Sequence, residues 1–105
     1  AADGSAAAEL QAKLPAAKVI KAFNTNFAAT LASRKVGDRV TTVLIAGDDD
    51  ASKRTLADAL TAGGVRAIDA GSLARARELE SVGFLQITLA AGEKIPWTGG
   101  CGVLA

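Results

Sequence analysis

Apolar residues along this chain gather in short blocks. Lys18–Phe23 (KVIKAF), Val40–Ala46 (VTTVLIA) and Val65–Asp69 (VRAID) are each closed by a polar or glycine-containing turn. A stretch with helical spacing follows each block, and repeated strand-then-helix order is the signature of a β-α-β-α-β unit. The pattern predicts an α/β fold, a three-stranded parallel sheet with helices on both faces. Val40–Ala46 is the clearest strand, because β-branched residues at nearly every position suit a strand covered on both sides.

The remaining elements follow from punctuation. Ser5 is a suitable N-cap for a first helix that Pro15 stops after Leu14, with Leu10 and Leu14 sharing a face. A helical or irregular segment passes through Phe27, Leu31 and Ala32, and the polar stretch Ser33–Arg39, with Gly37, reads as a solvated loop. One of Asp48, Asp49 and Asp50 caps a helix running to about Ala62, with Leu56, Ala59 and Leu60 toward the sheet, and Gly63 and Gly64 end it. Ser72 is positioned to cap a long helix with a stripe of Leu79, Val82, Leu85 and Leu89. Gly92 ends that helix, and Glu93–Ala105 is an irregular tail.

Composition narrows the class. The 105 residues suit one small soluble α/β domain spanning 1–105, burying roughly two-thirds of the surface of its extended chain. Half of the residues are hydrophobic but only 4% are aromatic, so the core is built from Ala, Val, Leu and Ile. Twelve Lys and Arg against eleven Asp and Glu leave a net charge of +1, which supplies no argument for nucleic acid or an anionic membrane. No apolar run approaches the roughly 20 residues of a membrane helix, and no basic n-region opens the chain, so a cytoplasmic location is expected. The chain has no Met, which, with the missing first half described below, points to a fragment.

The absence of His excludes imidazole acid–base chemistry and His-ligated zinc, and the lone Cys101 excludes an internal disulfide. Cys101 lies in TGGCG with no cationic neighbour in sequence to activate it, and reads as a small apolar residue. No catalytic residue and no metal site are assigned. In open parallel sheets, ligands sit beyond the carboxyl ends of the strands. Those ends are Asn24-Thr25-Asn26, Gly47-Asp48-Asp49 and Asp69-Ala70-Gly71-Ser72, which a parallel sheet brings to one edge. Asn24 and Thr25 can offer an amide and a hydroxyl to a flat heteroaromatic ring, or satisfy their own turn backbone. Asp48–Asp50 read as helix caps in preference to a Mg²⁺ site. Ser72 at a helix start could offer backbone N–H groups to a ring carbonyl or phosphate. Arg75 reads as solvated, and Arg77 as either solvated or an anion partner.

The three blocks KVIKAFNT, TTVLIAGDDD and RAIDAGSLARARELE, in this order, resemble the later half of the NADP-binding domain of F-420-dependent NADP oxidoreductases, in which F-420 is a deazaflavin coenzyme. They also resemble the cytosolic domain of the six-transmembrane metalloreductases. The resemblance runs from about Ala6 to Leu89 and implies half of a doubly wound Rossmann-type domain. It implies hydride transfer between NADP and a deazaflavin or flavin in the complete domain, with Asn24, Thr25, Asn26, Ser72 and Arg77 on the coenzyme side. Some members carry His where this chain has Asn24, and Arg77 matches an Arg of the family block. The glycine-rich phosphate turn of the first half is absent, so this chain alone is expected to bind no cofactor and to have no useful activity. Its partner is then the missing N-terminal half or a second copy, paired through the open edge of Lys18–Phe23.

Overall fold

The computed structural model describes residues 5–103. The chain passes through α1 (Ala6–Lys13), β1 (Ile20–Lys21), α2 (Ala28–Ser33), β2 (Lys35–Val36), β3 (Arg39–Val40), β4 (Thr42–Gly47), α3 (Asp50–Ala62) and β5 (Arg66–Gly71). A 3₁₀ turn (Leu73–Arg75) then leads into α4 (Ala76–Ala91). The main sheet has the order β1-β4-β5. Flanked by helices, it forms part of a Rossmann-type α/β fold. Residues on opposite faces of β4 are buried alike, with Val43, Ile45 and Ala46 at no more than 1% exposure. The apolar β-branched run therefore sits at the centre of the layer.

β4 and β5 are parallel, from Thr42 opposite Arg66 to Ala46 opposite Gly71, and α3 makes the crossover. β1 is not parallel. Ile20 pairs with Gly47 and Lys21 with Ala46 in antiparallel sense, so the sheet is mixed and the expected all-parallel arrangement is corrected. The cause lies in the connection. The 20 residues between Lys21 and Thr42 exceed the dozen or so that a parallel return needs, so length is not the limit. What they form is decisive, since a parallel return usually runs through one long helix. Here α2 has six residues, and the expected solvated loop after it is instead a hairpin, β2 on β3, turned at Gly37 (φ +62°). The Asn26 side-chain amide also donates to the Thr42 carbonyl at 3.0 Å, tying the exit of β1 to the entry of β4. The chain re-enters the sheet at the end where it left.

Only Ile20 and Lys21 of the expected strand Lys18–Phe23 are paired. Phe23 takes φ +71°, which ends the extended run. The Val19 N–H is bound by the Gln11 side-chain oxygen, while the same amide donates to the Leu14 and Ala17 carbonyls. Gln11 thus fastens α1 to the start of β1. As expected, Ser5 caps α1 by accepting from the Ala8 N–H. Ala7 packs with Leu73 and Ala76, and Val19 lies against them.

α3 follows its expected bounds, with Asp49 as the N-cap and Gly64 at φ +90° past its end. Leu56 and Leu60 are half-buried, but Ala59 is exposed and Lys53 is the most buried residue of the helix. Ser72 does not cap a long helix; it precedes the 3₁₀ turn without a side-chain bond. The stripe expected on α4 is also corrected. Its buried line is Ala76, Leu79, Gly83, Gln86 and Ala90, while Val82 and Leu85 are exposed. A Cβ on Gly83 would lie 2.5 Å from the Asn24 carbonyl oxygen. So close an approach admits no branched side chain, and the larger apolar residues rotate onto the shoulders of the helix. The expected tail Glu93–Ala105 is irregular as far as residue 103, and its last two positions lie outside the described residues.

Candidate functional site

Because β1 runs against β4, the turns expected on one edge are divided between two. Asp48 and Ser72 lie together at the carboxyl ends of β4 and β5, lining an open cavity of about 490 Å³ with Gly47, Asp50, Lys53, Asp69 and Gly71. Asn24, Thr25 and Asn26 lie at the opposite edge, beside the start of β4. The expected convergence of all three turns is therefore corrected.

The first edge is acidic and closed on itself. Lys53 is 4% exposed, and its ammonium donates to Asp69 Oδ1 at 2.9 Å and to the Gly71 carbonyl at 3.1 Å, with Asp50 Oδ1 at 3.3 Å. These partners match the three donors of an ammonium. The hydrogen bond to Asp69 raises the Lys53 pKa above its ordinary value against the opposing effect of burial. The same bond, reinforced by the Gly71 N–H, lowers that of Asp69. Asp49 is lowered by the Ser52 hydroxyl and then by the Ser52 N–H. Asp48 Oδ1 accepts the Leu73 N–H at 2.9 Å, so the start of the 3₁₀ turn is capped from the neighbouring strand end. A helix start is an anion seat when its N–H groups are free. Here the chain's own carboxylates occupy both seats and repel a phosphate.

This clamp carries a pH prediction. A depressed Asp69 contributes stability above its unfolded pKa, about 4, and loses it as pH falls through the folded value. A raised Lys53 contributes below its unfolded pKa, about 10.4, and loses it as pH rises through the folded value. The clamp is therefore intact across the neutral range. Lys53→Met should lower the urea midpoint at pH 7 and make its decline toward pH 2 shallower than in the native chain. Parallel midpoint curves would show that the clamp does not contribute to acid sensitivity.

The second edge is built from amides. Asn24 Nδ2 donates to the Leu79 carbonyl at 2.8 Å, in the middle of α4. Gln86, 2% exposed, donates to the Thr25 carbonyl at 3.0 Å and accepts the Cys101 N–H at 2.9 Å. Phe27 meets Trp97 with ring centroids 5.1 Å apart, so the tail folds back onto the same turn. The side-chain oxygens of Asn24 and Asn26 are buried without a hydrogen-bond partner. Arg77 is exposed in the first turn of α4, two residues before Leu79, and Arg75 pairs with Glu78 at 2.9 Å on the surface. Cys101 is free and exposed.

Sequence reading missed Lys53, Gly83 and Gln86. Each had a signal in its spacing. Lys53 continues the sheet-facing line of Leu56 and Leu60 at i, i+3, i+7, while Gly83 and Gln86 lie four and seven residues after Leu79. Among the described residues, no helix is long and apolar enough to cross a membrane, and no three acidic, Cys or His side chains cluster to hold a metal ion.

No family model and no curated protein matches this chain. A solved structure does: that of a candidate F-420-dependent NADP reductase from Arthrobacter sp. FB24, with a TM-score of 0.85 at 25% identity. The likeness covers 98% of this chain and 47% of that one, so this chain spans about half the length of its relative.

Proposed function

We propose that this chain, whose fold is that of the F-420-dependent NADP reductases and links it to oxidoreductase-type domains, is the ring-side portion of an NADPH-linked oxidoreductase. When bound, NADP and a deazaflavin or flavin supply the hydride donor and acceptor, so the protein's task is to hold and orient. The observation that carries this reading is the turn Asn24–Asn26. Two buried amide oxygens there have no hydrogen-bond partner, while the amide nitrogens are anchored to Leu79 and Thr42. Both oxygens are shielded from solvent, so they would accept the carboxamide or ring N–H of a flat coenzyme once the turn opens toward it. The turn has no group that titrates near neutrality, so Asn24 would orient a ring and exclude water, with no proton to move.

Ser72 stands apart from this wall, Arg77 is exposed on α4, and the acidic edge does not suit a pyrophosphate. Phosphate recognition is assigned to a glycine-rich half outside this chain. The 105-residue chain is accordingly expected to bind NADPH no more tightly than millimolar, and an isothermal titration showing micromolar affinity would contradict that. The positive arm is a chimaera joining this chain to the half of the Arthrobacter relative that it does not match. That chimaera should transfer hydride between NADPH and F-420 or a flavin, and Asn24→Leu should slow turnover at least tenfold while leaving NADPH affinity within about threefold. A folded chimaera that binds NADPH but transfers no hydride would overturn the proposal. A non-catalytic module is the second reading, favoured by the apolar surface that α4 leaves open.

A further inference from the structure

The turn Asn24–Asn26 is bounded by two packed elements. Asn24 is bonded to the Leu79 carbonyl of α4 and lies against Gly83, and Asn26 is bonded to the Thr42 carbonyl of β4. Leu79, Gly83 and Thr42 are all buried, so neither element can withdraw without breaking the core. Yet the side-chain oxygens of both asparagines are sealed from solvent with their acceptor capacity unused. A group that is to reach them needs a wall that moves.

The segment Trp97–Cys101 is such a wall. Trp97 meets Phe27 at the end of the turn, and the Cys101 N–H donates to Gln86, whose amide nitrogen donates to the Thr25 carbonyl. Gln86 therefore relays the position of the segment to the middle of the turn. The segment itself is weakly held. It belongs to no helix or strand, Trp97 is 53% exposed, and Thr98 and Cys101 are exposed. Few buried contacts and an open backbone mark a region that opens at a small fraction of the global unfolding free energy. Its closed position also depends on glycine. Gly100 takes φ +137°, and a Cβ there would stand 2.8 Å from Gln86 Oε1, the atom that holds Cys101.

We propose that Trp97–Cys101 is a strap that holds the turn shut, and that its release frees the Asn24 and Asn26 oxygens for a flat carboxamide ring. The part played by the ring rests on the turn being a coenzyme site; the strap itself does not. A ring competes with the closed strap, so its apparent affinity is the intrinsic one reduced by the fraction of chains that are open.

Native-state hydrogen exchange on the full chain tests the strap. The Cys101 N–H should exchange through a local opening, faster than the amides of β4, and the Asn26 N–H, bound to the Phe23 carbonyl, should follow it. Gly100→Ala strains the closed form, and Trp97→Ala removes the aromatic contact. Each should lower the protection of Cys101 and Asn26 about tenfold while β4 and β5 keep theirs. Nicotinamide is the ring probe, titrated into the chain and followed by the amide resonances of residues 23–26. Gly100→Ala should bind it about threefold more tightly, whereas simple damage to the turn would weaken it. Cys101 exchanging only with global unfolding, or Asn26 protection indifferent to both variants, would overturn the strap. A turn that opens as expected in both variants but never takes nicotinamide would instead overturn the part played by the ring, and with it the assignment of the turn as a coenzyme site.

Discussion

Gln86→Leu should destabilise the chain by about 3 kcal/mol, lowering its melting temperature by roughly 15 °C. The side chain is almost wholly buried and bridges two backbone groups far apart in sequence, the Thr25 carbonyl and the Cys101 N–H. Leucine has similar bulk but no polar atoms. Each orphaned backbone group then loses a hydrogen bond at a cost of about 1–3 kcal/mol, only partly offset by leucine's greater hydrophobicity. Gln86→Glu separates the two bonds. The carboxylate still accepts from Cys101 but repels the Thr25 carbonyl, whereas the protonated acid donates to it. Its folded pKa is then raised, so the extra stability is present at pH values below the unfolded pKa, about 4.3, and disappears as pH rises through the folded one. The deficit in melting temperature relative to the native chain should be the same at pH 4 and pH 8 for Gln86→Leu and larger at pH 8 for Gln86→Glu. A Gln86→Leu chain within about 1 kcal/mol of the native would show that the tail and turn are held by other contacts.

Gly83→Ala is expected to cost about 2 kcal/mol despite an intrinsic helix preference of about 1 kcal/mol in its favour. The added Cβ would meet the Asn24 carbonyl oxygen at 2.5 Å and the Asn24 amide nitrogen at 2.9 Å. The first is a backbone atom and cannot swing aside, so α4 or the turn must move as a unit, an overpacking cost of about 3 kcal/mol that the gained helix preference offsets by about 1 kcal/mol. The displacement also stretches the bond from Asn24 to the Leu79 carbonyl. Urea titration should give a lower midpoint, and the amide resonances of residues 23–26 should shift more than those of β5. If the variant were more stable than the native chain, helix preference would outweigh the contact and the close approach would have to be relaxed in solution.

Local order was readable from the residues. Ser5 and Asp49 cap the helices whose starts they were expected to mark, the glycines past Ala62 end α3, and the β-branched run through Thr42–Ala46 forms the central strand. Such features depend on a few adjacent residues and on backbone preferences that act before any packing. The kinship in fold was likewise carried by three short blocks, since their order along the chain is the order of the elements.

Sequence alone did not determine the sense of β1, the identity of the most buried residues on α3 and α4, or the separation of the two edges. Alternation of apolar residues marks a strand but is the same read in either direction. The sense followed from a short α2, an unexpected hairpin, and one amide linking Asn26 to Thr42 across the fold. Lys53 and Gln86 look like surface residues until Asp69, Thr25 and Cys101, from distant parts of the chain, supply their partners. Burial of a polar side chain is settled by those partners and not by its own hydropathy. The elements are thus a property of neighbouring residues, while the candidate site is a property of contacts that only folding brings together.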